Sequence, residues 1–557
     1  MTQDVTDTLS EPLVEDGRRG SFLVAAGIFL SRIAGLVREI VISGLLGVGT
    51  AADSFKAALR IPNMLQNLLG EGVLSASFIP VYAKLLDEDD RESGRLAGAV
   101  AGLLCALTAV LVVLGMLLAR PLTVILTPGF QGERLDLAVT LLRIMFPGIG
   151  FLVLSAWCLG ILNSHRRFFL SYVAPVLWNV AQIACAVAVA IAGASEEGIA
   201  TALAWGVVLG GLLQLLVQLP AVRSLVPDLR LSLDRTSRHV KSVIRRFGTV
   251  VVGRGAVQLI TYVDIFLASL LAVGAVSALS YAQVLYLLPI SLFGMAVAAA
   301  ELPELSRIGR SGPDAMRDRL ALGLDRITFY VALAVALYVF AGDVIVGALL
   351  QRGEFDAADT RLVWYVLAAF SLGLLGTTRS RLLQNGLYAL NRPQIVARIA
   401  VLRVALAGII GALLMFPFDR YAIVGSATER MGDLGLSPLP DSVRLLAGGP
   451  PRLGIVGLAL GAAASSWVEY RLLRGALEWR IGPIDELTHD TRWSLIAAAG
   501  VGVLAAGIRA ATDELAPVLA LVVVVGASTA TYLAITTTMG VTEARALVDR
   551  ARRVLTG

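Results

Sequence analysis

Apolar residues run along this chain in blocks separated by short polar or charged stretches, and within the blocks they do not alternate with polar ones. Blocks of about 20 residues suit helices that cross a bilayer, whereas a spanning β-strand would alternate over about 10. Length and hydropathy predict about fourteen spans, over 21–46, 54–85, 95–119, 136–163, 168–193, 197–222, 243–273, 276–302, 317–345, 361–389, 393–416, 452–475, 492–510 and 515–539. Basic residues orient them. Lys84, Arg91 and Arg95, then Arg166 and Arg167, then Arg223 through Arg246, then Arg307 through Arg319, and finally Arg545 through Arg553 all follow even-numbered spans. Positive charge gathers on the cytoplasmic side, so both termini are expected there. Loops 194–198 and 352–359 on the other side are short or acidic; the exception, 417–452, is a longer Gly/Pro-containing insertion of mixed charge with no role legible in it.

The segment 227–247 reads PDLRLSLDRTSRHVKSVIRRF. It fits an amphipathic basic segment lying on the cytoplasmic leaflet, and equally a solvated linker with a few arginines. Its position divides the chain into a cytoplasmic tail over 1–20, an N-lobe of six spans over 21–222, a linker over 223–247, a C-lobe of six spans over 248–475, two further spans over 476–540 and a tail over 541–557. Two repeats around a cavity would have this organisation, although no residue-level repeat is visible. The first twenty residues are polar and acidic and lack a basic start, a short apolar core and a small-residue cleavage site. They read as a disordered cytosolic leader, with the first span acting as the membrane signal. The four arginines of 541–553 suit a short interfacial helix.

One stretch breaks the apolar pattern. From Ser31 to Pro80 the chain carries charges at helical spacing where a bilayer disfavours them. At about 100° per residue, Arg32, Gly35 and Glu39 share one face of a first helix, and Asp53, Lys56, Arg60, Asn63, Asn67 and Glu71 share one of a second. A charge at mid-membrane costs roughly 2.5–3.5 kcal/mol on insertion scales, so several on one helix must pair or line a water-filled cavity. Function is expected at that cavity.

Composition agrees and narrows the classes. Of the 557 residues 57% are hydrophobic and the mean hydropathy is +0.77, which places the chain among all-α integral membrane proteins. A net charge of +5, dispersed over short loops, is what topology requires and gives no sign of nucleic acid binding. Cys105, Cys158 and Cys185 lie inside apolar runs without CxxC spacing, and His165, His239 and His489 lie in separate loops without HExxH. Neither a disulfide framework nor a metal site is supported. No GxxxxGK[ST] loop or GxSxG elbow occurs, so the sequence supports no enzyme, no cofactor and no ATP-driven step by this chain alone.

The candidates that remain are buried charges. In the first half these are Arg32, Arg38, Glu39, Asp53, Lys56, Arg60 and Glu71. Arginine suits a pyrophosphate because its planar fork donates two parallel charge-assisted hydrogen bonds. Alternatively Arg32 and Glu39 neutralise each other in a packing contact, and Asp53 and Lys56 are interfacial end residues. Pro62, Gly35, Gly70 and Gly72 permit bending. In the second half Arg254, Gln258 and Thr261 form one stripe, with Asp264 about 80° to the side. Asp264 could bind Na⁺ or H⁺ as a coupling ion, or serve as counter-ion to Arg254. Arg379, Arg381, Arg398 and Arg403 follow in spans ten and eleven, and Glu301 and Glu304 flank Pro303 at the end of span eight.

Several long motifs resemble the MviN/MurJ family of lipid II flippases: SRIAGLVRE, AADSFKAALRIPNMLQNLLGEGVLSASFIPVY, TPGF over 127–130, the run from Pro147 to Asn179, and LLQRGEF over 349–355 with the DTRL that follows. They occur in the right order over nearly the whole chain. The resemblance implies the multidrug/oligosaccharidyl-lipid/polysaccharide exporter fold: two six-helix lobes around a central cavity, plus two C-terminal helices shaping a groove for a lipid tail. It also implies that Arg32, Arg38, Glu39, Asp53, Arg60, Glu71 and, by a gapped match, Arg381 stand at substrate-facing positions. Two departures stand out. Gln66 occupies a position where the family often has an arginine, and Gln283 and Val284 stand where it often has an Asp-Arg pair. Arg254 is the candidate replacement for the missing second-lobe arginine.

The implied task is flipping undecaprenyl-pyrophosphate-linked peptidoglycan precursor, lipid II, from the inner to the outer leaflet of the bacterial plasma membrane by alternating access, as a monomer among membrane lipids. Arg32, Arg38 and Arg60 would attract the pyrophosphate, with direction set by membrane potential or by Na⁺ or H⁺. Three alternatives stay open. They are a flippase for another polyprenyl-linked glycan, a cation exporter of the same superfamily, disfavoured by the first-lobe arginines, and a non-transporting envelope protein that binds the precursor.

Overall fold

The computed structural model describes residues 11–226, 229–260, 262–294, 297, 301, 304–305, 307, 312–425, 427–433, 435–512 and 514–556, which are helical almost throughout. They fall into two compact units, one comprising the chain to Leu46 with Thr50–Tyr262, the other Gly47–Gly49 with the chain from Val263.

The first unit is built from α1 (Glu11–Leu46), α2 (Thr50–Leu69), α3 (Glu71–Ser77), α4 (Ile79–Glu88), α5 (Asp90–Leu117), α6 (Ala119–Leu126), α7 (Gly132–Ser164), α8 (Phe168–Ile191), α9 (Glu196–Leu225) and α10 (Arg238–Ile260). The span expected over 54–85 is α2, α3 and α4 in series, broken at Gly70 and Phe78. The Asp89 side chain caps α5 by accepting from the N–H groups of Arg91 and Glu92, which satisfies two of the donors a helix start leaves open. α7 is central, with Leu141, Leu142, Met145 and Phe146 fully buried, and it packs against α2, α5 and α9.

The second unit comprises α11 (Val263–Ser269), α12 (Ala275–Pro289) running into a π turn over Ile290–Gly294, α13 (Pro313–Leu350), α14 (Ala357–Ser371), α15 (Leu374–Ala389), α16 (Pro393–Phe418), β1 (Tyr421–Val424), β2 (Ala427–Arg430), α17 (Asp441–Arg444), α18 (Gly454–Ile481), α19 (His489–Ala511), α20 (Pro517–Thr538) and α21 (Thr542–Thr556). Leu320, Leu324, Ile327, Leu374, Leu382, Leu473 and Leu477 form its main core. A second core, around Phe329, Val501 and Tyr532, joins α13 to α19 and α20. α16 and α18 lie closest together. A Cβ at Gly461 would stand 2.4 Å from the Gly411 nitrogen, and one at Gly457 would stand 2.6 Å from the Leu414 carbonyl carbon. Small residues four apart let two membrane helices meet backbone to backbone, where dispersion rather than the hydrophobic effect holds them.

Several expectations change. Ten described helices are long and apolar enough to span, or eleven if α14 and α15, bent by 42° at their junction, count as one. The expected spans at 21–46, 243–273 and 452–475 are carried by α1, by α10 with α11, and by α18, which lie outside that count, so fourteen is not reached by length and composition. Within the leader expected to be disordered over 1–20, helix begins at Glu11, and residues 1–10 lie outside the described ones. Within the segment 227–247, residues 229–237 have no regular secondary structure and α10 begins at Arg238. The first unit extends through α10 to Tyr262. The described residues of insertion 417–452 are held by specific contacts. Its β1–β2 hairpin pairs Tyr421 with Arg430, Ile423 N–H donates to the Pro451 carbonyl at 2.8 Å, and Arg452 donates to the Asp419 carbonyl at 3.1 Å.

A Gly461→Val substitution forces the α16–α18 backbones apart. Overpacking of this kind costs roughly 1–3 kcal/mol, so the variant should unfold earlier in an SDS titration of the purified protein, while Gly475→Val, where nothing stands near the added carbon, should not.

Candidate functional site

The first unit borders an open cavity of about 720 Å³. Its wall is assembled from six helices: α1 gives Arg38, α2 gives Asn63, Gln66 and Asn67, α3 gives Glu71, α7 gives Ser155, α8 gives Trp178 and Asn179, and α9 gives Gln214. Residues four apart on a helix share a face, so Asn63 and Asn67 project together, and the break at Gly70 carries Glu71 onto the same wall.

Arg38 is the cation of this wall. Its Nη2 donates to Glu39 Oε1 at 2.7 Å, its guanidinium carbon lies 4.9 Å from the centre of the Trp178 ring, and its buried Nε has no partner among the described residues. Glu39 also accepts from Lys56 Nζ, so one carboxylate serves two cations and ties α1 to α2. Arg38, Glu39 and Lys56 together carry one excess positive charge. At low dielectric that excess is felt strongly by an anion. Apart from Arg38 and Glu71 the described lining is uncharged, with Leu152, Ala156, Leu159 and Pro175 set among amides and hydroxyls. Gln214 Nε2 donates to Ser155 Oγ at 2.9 Å, and Ser155 Oγ donates to Gln218 Oε1 at 2.8 Å. Buried Trp178 Nε1 and Gln218 Nε2 have no partner among the described residues. The arrangement offers one cation, one carboxylate and many amide and hydroxyl groups. Such a wall can hydrogen-bond a large polar headgroup and hold one anionic group beside Arg38.

The expected site residues separate accordingly. Arg38 and Glu71 line the cavity and Glu39 supports Arg38 from behind. Arg32 is exposed and outside the lining, although Ser31 belongs to it. Asp53, expected to face substrate, is instead fully buried in an ion pair with Arg134 at 2.5 Å. Arg134 stacks on Phe130 with 3.8 Å between guanidinium carbon and ring centre, and Ser54 Oγ donates to its carbonyl. This is the join between the starts of α2 and α7. Arg60 is half-buried, outside the lining, and its carbonyl accepts from the Tyr262 hydroxyl at 3.3 Å. Arg254 lies in α10, with its side chain outside the described residues, and Thr261 is likewise outside them. Asp264 is half-buried in the first turn of α11.

In the second unit Arg381 is exposed on α15, while buried Arg379 donates to the hydroxyls of Thr328 at 3.1 Å and Thr491 at 3.4 Å. Arg403 and Gln384 both donate to Glu469, and Glu301 pairs with Arg319 and Arg326. The sequence reading did not assign Gln66, Trp178, Asn179 or Gln214 to the site. Their signal was a polar or indole-bearing residue inside an apolar block. At His165, at the end of α7, burial holds the imidazole below its ordinary range, beside the Tyr82 hydroxyl at 3.0 Å.

Comparison with known proteins adds to this geometry. The family model described as lipid II flippase MurJ matches residues 42–429. A lipid II flippase of Burkholderia cenocepacia is 35% identical over 418 residues, covering 73% of this chain and 78% of that protein. A probable lipid II flippase of Rhizobium tropici is 34% identical over 406 residues, covering 71% and 75%. Among solved structures, a lipid II flippase in an inward closed conformation superposes with a TM-score of 0.69 at 19% identity, covering 95% of this chain and all of that one. An inward-facing multidrug transporter of the MATE family gives 0.61 at 17% identity, covering 81% and 94%. At these identities the structures speak to fold.

The ion pair and the cavity wall should respond differently to mutation. Asp53→Ala removes the carboxylate that pairs with buried Arg134, and breaking a buried pair from one side costs about 3–5 kcal/mol in comparable cases. It should sharply lower the yield and unfolding midpoint of detergent-purified protein, whereas Glu71→Gln at the cavity should leave both near those of the native chain.

Proposed function

Because the chain belongs to the lipid II flippase MurJ family, by a family match over 42–429 and a relative 35% identical over 73% of its length, we propose that it moves lipid II from the inner to the outer leaflet by alternating access. It is a multi-pass protein of the bacterial inner membrane. The observation that carries the reading is the cavity in which Arg38 stands among amides. A pyrophosphate-linked glycopeptide presents a dianionic bridge and many neutral hydroxyl and amide groups, and the wall supplies partners of both kinds. The protein breaks no bond in this task. It replaces the water that a polar headgroup would lose in about 30 Å of hydrocarbon.

Arg38, with its excess charge and unpartnered Nε, holds the pyrophosphate, while Asn63, Gln66, Asn67 and Asn179 receive the sugar and peptide. Glu39 and Lys56 position Arg38, and Arg60 and Arg32 act at longer range. Both termini lie in the cytoplasm, as the basic loops after even-numbered spans support, and the chain works as a monomer. Asp264 is the ion-coupling candidate: it sits in a seven-residue helix between α10 and α12, and discontinuous membrane helices are where transporters place coupling ions.

The test is the fraction of lipid II cleaved by a membrane-impermeant lipid II-degrading enzyme in cells depleted of their own flippase. The native chain should restore cleavage. Arg38→Ala, expressed equally, should lose roughly ten- to a hundredfold of the transfer rate, the worth of a charge-assisted hydrogen bond set. Absence of restoration by well-inserted native protein would overturn the lipid II assignment, and restoration undiminished in Arg38→Ala would remove that arginine from the path.

A further inference from the structure

A second cavity, of about 520 Å³, lies in the first unit away from the Arg38 wall. It is lined by Arg91, Arg95, Arg230, Ser232 and Asp234. The first two come from the opening turns of α5, the others from the irregular stretch before α10. Among the described residues none of the three guanidinium groups has an ion-pair or hydrogen-bond partner, while the Arg91 backbone N–H donates to Asp89 Oδ1 at 2.9 Å. Asp234 is engaged locally, accepting from the Thr236 N–H at 2.7 Å and its hydroxyl at 2.5 Å. Arg91, Arg95, Arg230 and Asp234 together leave two positive charges.

The stretch over 229–234 reads LRLSLD and is built on α5. A Cβ at Gly98 would stand 2.1 Å from the Arg230 carbonyl oxygen, one at Gly102 would stand 2.2 Å from that of Ser232, and Ser232 N–H donates to the Gly98 carbonyl at 3.3 Å. Four helical residues rise about 6 Å and two extended residues advance about 6.6 Å, so an extended chain keeps step with bare glycines along the helix. Extended chain sends alternate side chains to opposite sides. Arg230, Ser232 and Asp234 therefore face the cavity, while Leu231 and Leu233 point outward, 67% and 62% exposed. Two leucines presented beside a cationic pocket, at the basic end of a membrane span, match the boundary between headgroups and acyl chains.

We propose that this cavity is a binding site for the headgroup of an anionic phospholipid, with Arg91, Arg95 and Arg230 on the phosphate and Leu231 and Leu233 against the acyl chains. The Gly98–Gly102 face of α5 is the seat that positions Arg230. The site is separate from the substrate cavity, and its placement in the cytoplasmic leaflet rests on the orientation proposed above.

The test uses the full-length protein in detergent, with bound lipid counted by native mass spectrometry after addition of phosphatidylglycerol or phosphatidylcholine. Phosphatidylglycerol should be retained in preference. An R91Q/R95Q/R230Q variant should lose roughly a hundredfold of that preference, since each basic residue near an anionic surface adds about fivefold. Gly98→Leu, which keeps every arginine but lifts the seated chain, should lose most of it too. Substitution of Arg550, Arg552 and Arg553 in α21 by glutamine should change nothing. Equal loss in that control, or undiminished retention in the first variant, would overturn the site. Displacement by soluble glycerol 3-phosphate at the same excess would overturn the lipid reading in favour of a free phosphate ester.

Discussion

The constraint that shapes this molecule is the cost of leaving a charge alone in hydrocarbon. Each ion removed from water loses several kcal/mol of solvation, which only a well-placed partner returns. The described ion pairs follow from it: Asp53 with Arg134, Glu39 with Arg38 and Lys56, Glu301 with Arg319 and Arg326, Glu469 with Arg403. Most join one helix to another, so the charges that would expel a helix from the bilayer instead fix which neighbours it takes. Glu39 accepts from two cations, and one of them, Arg38, also lines a cavity. That second exposure, to the cavity, separates this cluster from the structural pairs.

Helical spacing made one half of this legible. Of the stripe expected on the second helix, Asn63, Asn67 and Glu71 line the cavity, whereas on the first helix it is Arg38, about 120° around from the Arg32–Gly35–Glu39 face, that does so. Spacing along one helix says which residues project together and nothing about what meets them from another. Asp53 and Arg134 are separated by 81 positions, so an acid that shares a stripe with Asn63 could be assigned to the cavity while its arginine was waiting on α7. The second-unit arginines show the same gap. Arg379 and Arg381 are two residues apart, roughly 200° around a helix, and only the fold shows that the first is buried and the second exposed.

Glycine carried more of the architecture than its frequency suggested. Gly457 and Gly461 on α18 and Gly98 and Gly102 on α5 share a four-residue spacing, and at each the missing side chain is filled by another backbone. In the first case the visitor is a helix, in the second an extended chain. The spacing is visible in the sequence, but the visitor is not, since a small-residue stripe accepts whatever backbone the fold brings. The alternating LRLSLD pattern was the complementary signal. Read as a whole the segment suggested an amphipathic basic stretch or a solvated linker, and the period of two within it belongs to an extended chain.

Gln66 tests what a transport cavity needs. The family resemblance led to an arginine at this position, and the loss of a charge there looks at first like a loss of function. Gln66 nonetheless lines the cavity, among Asn63, Asn67, Asn179 and Gln214. A charge-assisted hydrogen bond adds roughly 1.5–3 kcal/mol where a neutral one adds about 1. A wall of several arginines would hold a pyrophosphate so tightly that departure to the far leaflet became the slow step. On the proposed reading, recognition spread over many amides, with Arg38 as the one cation among the described lining residues, keeps each bond weak and their number large. Specificity then comes from the pattern of donors and acceptors, and release costs no single strong contact. On this reasoning the amide lining is as much a part of the flippase chemistry as the arginine, because a carrier must let go of what it binds.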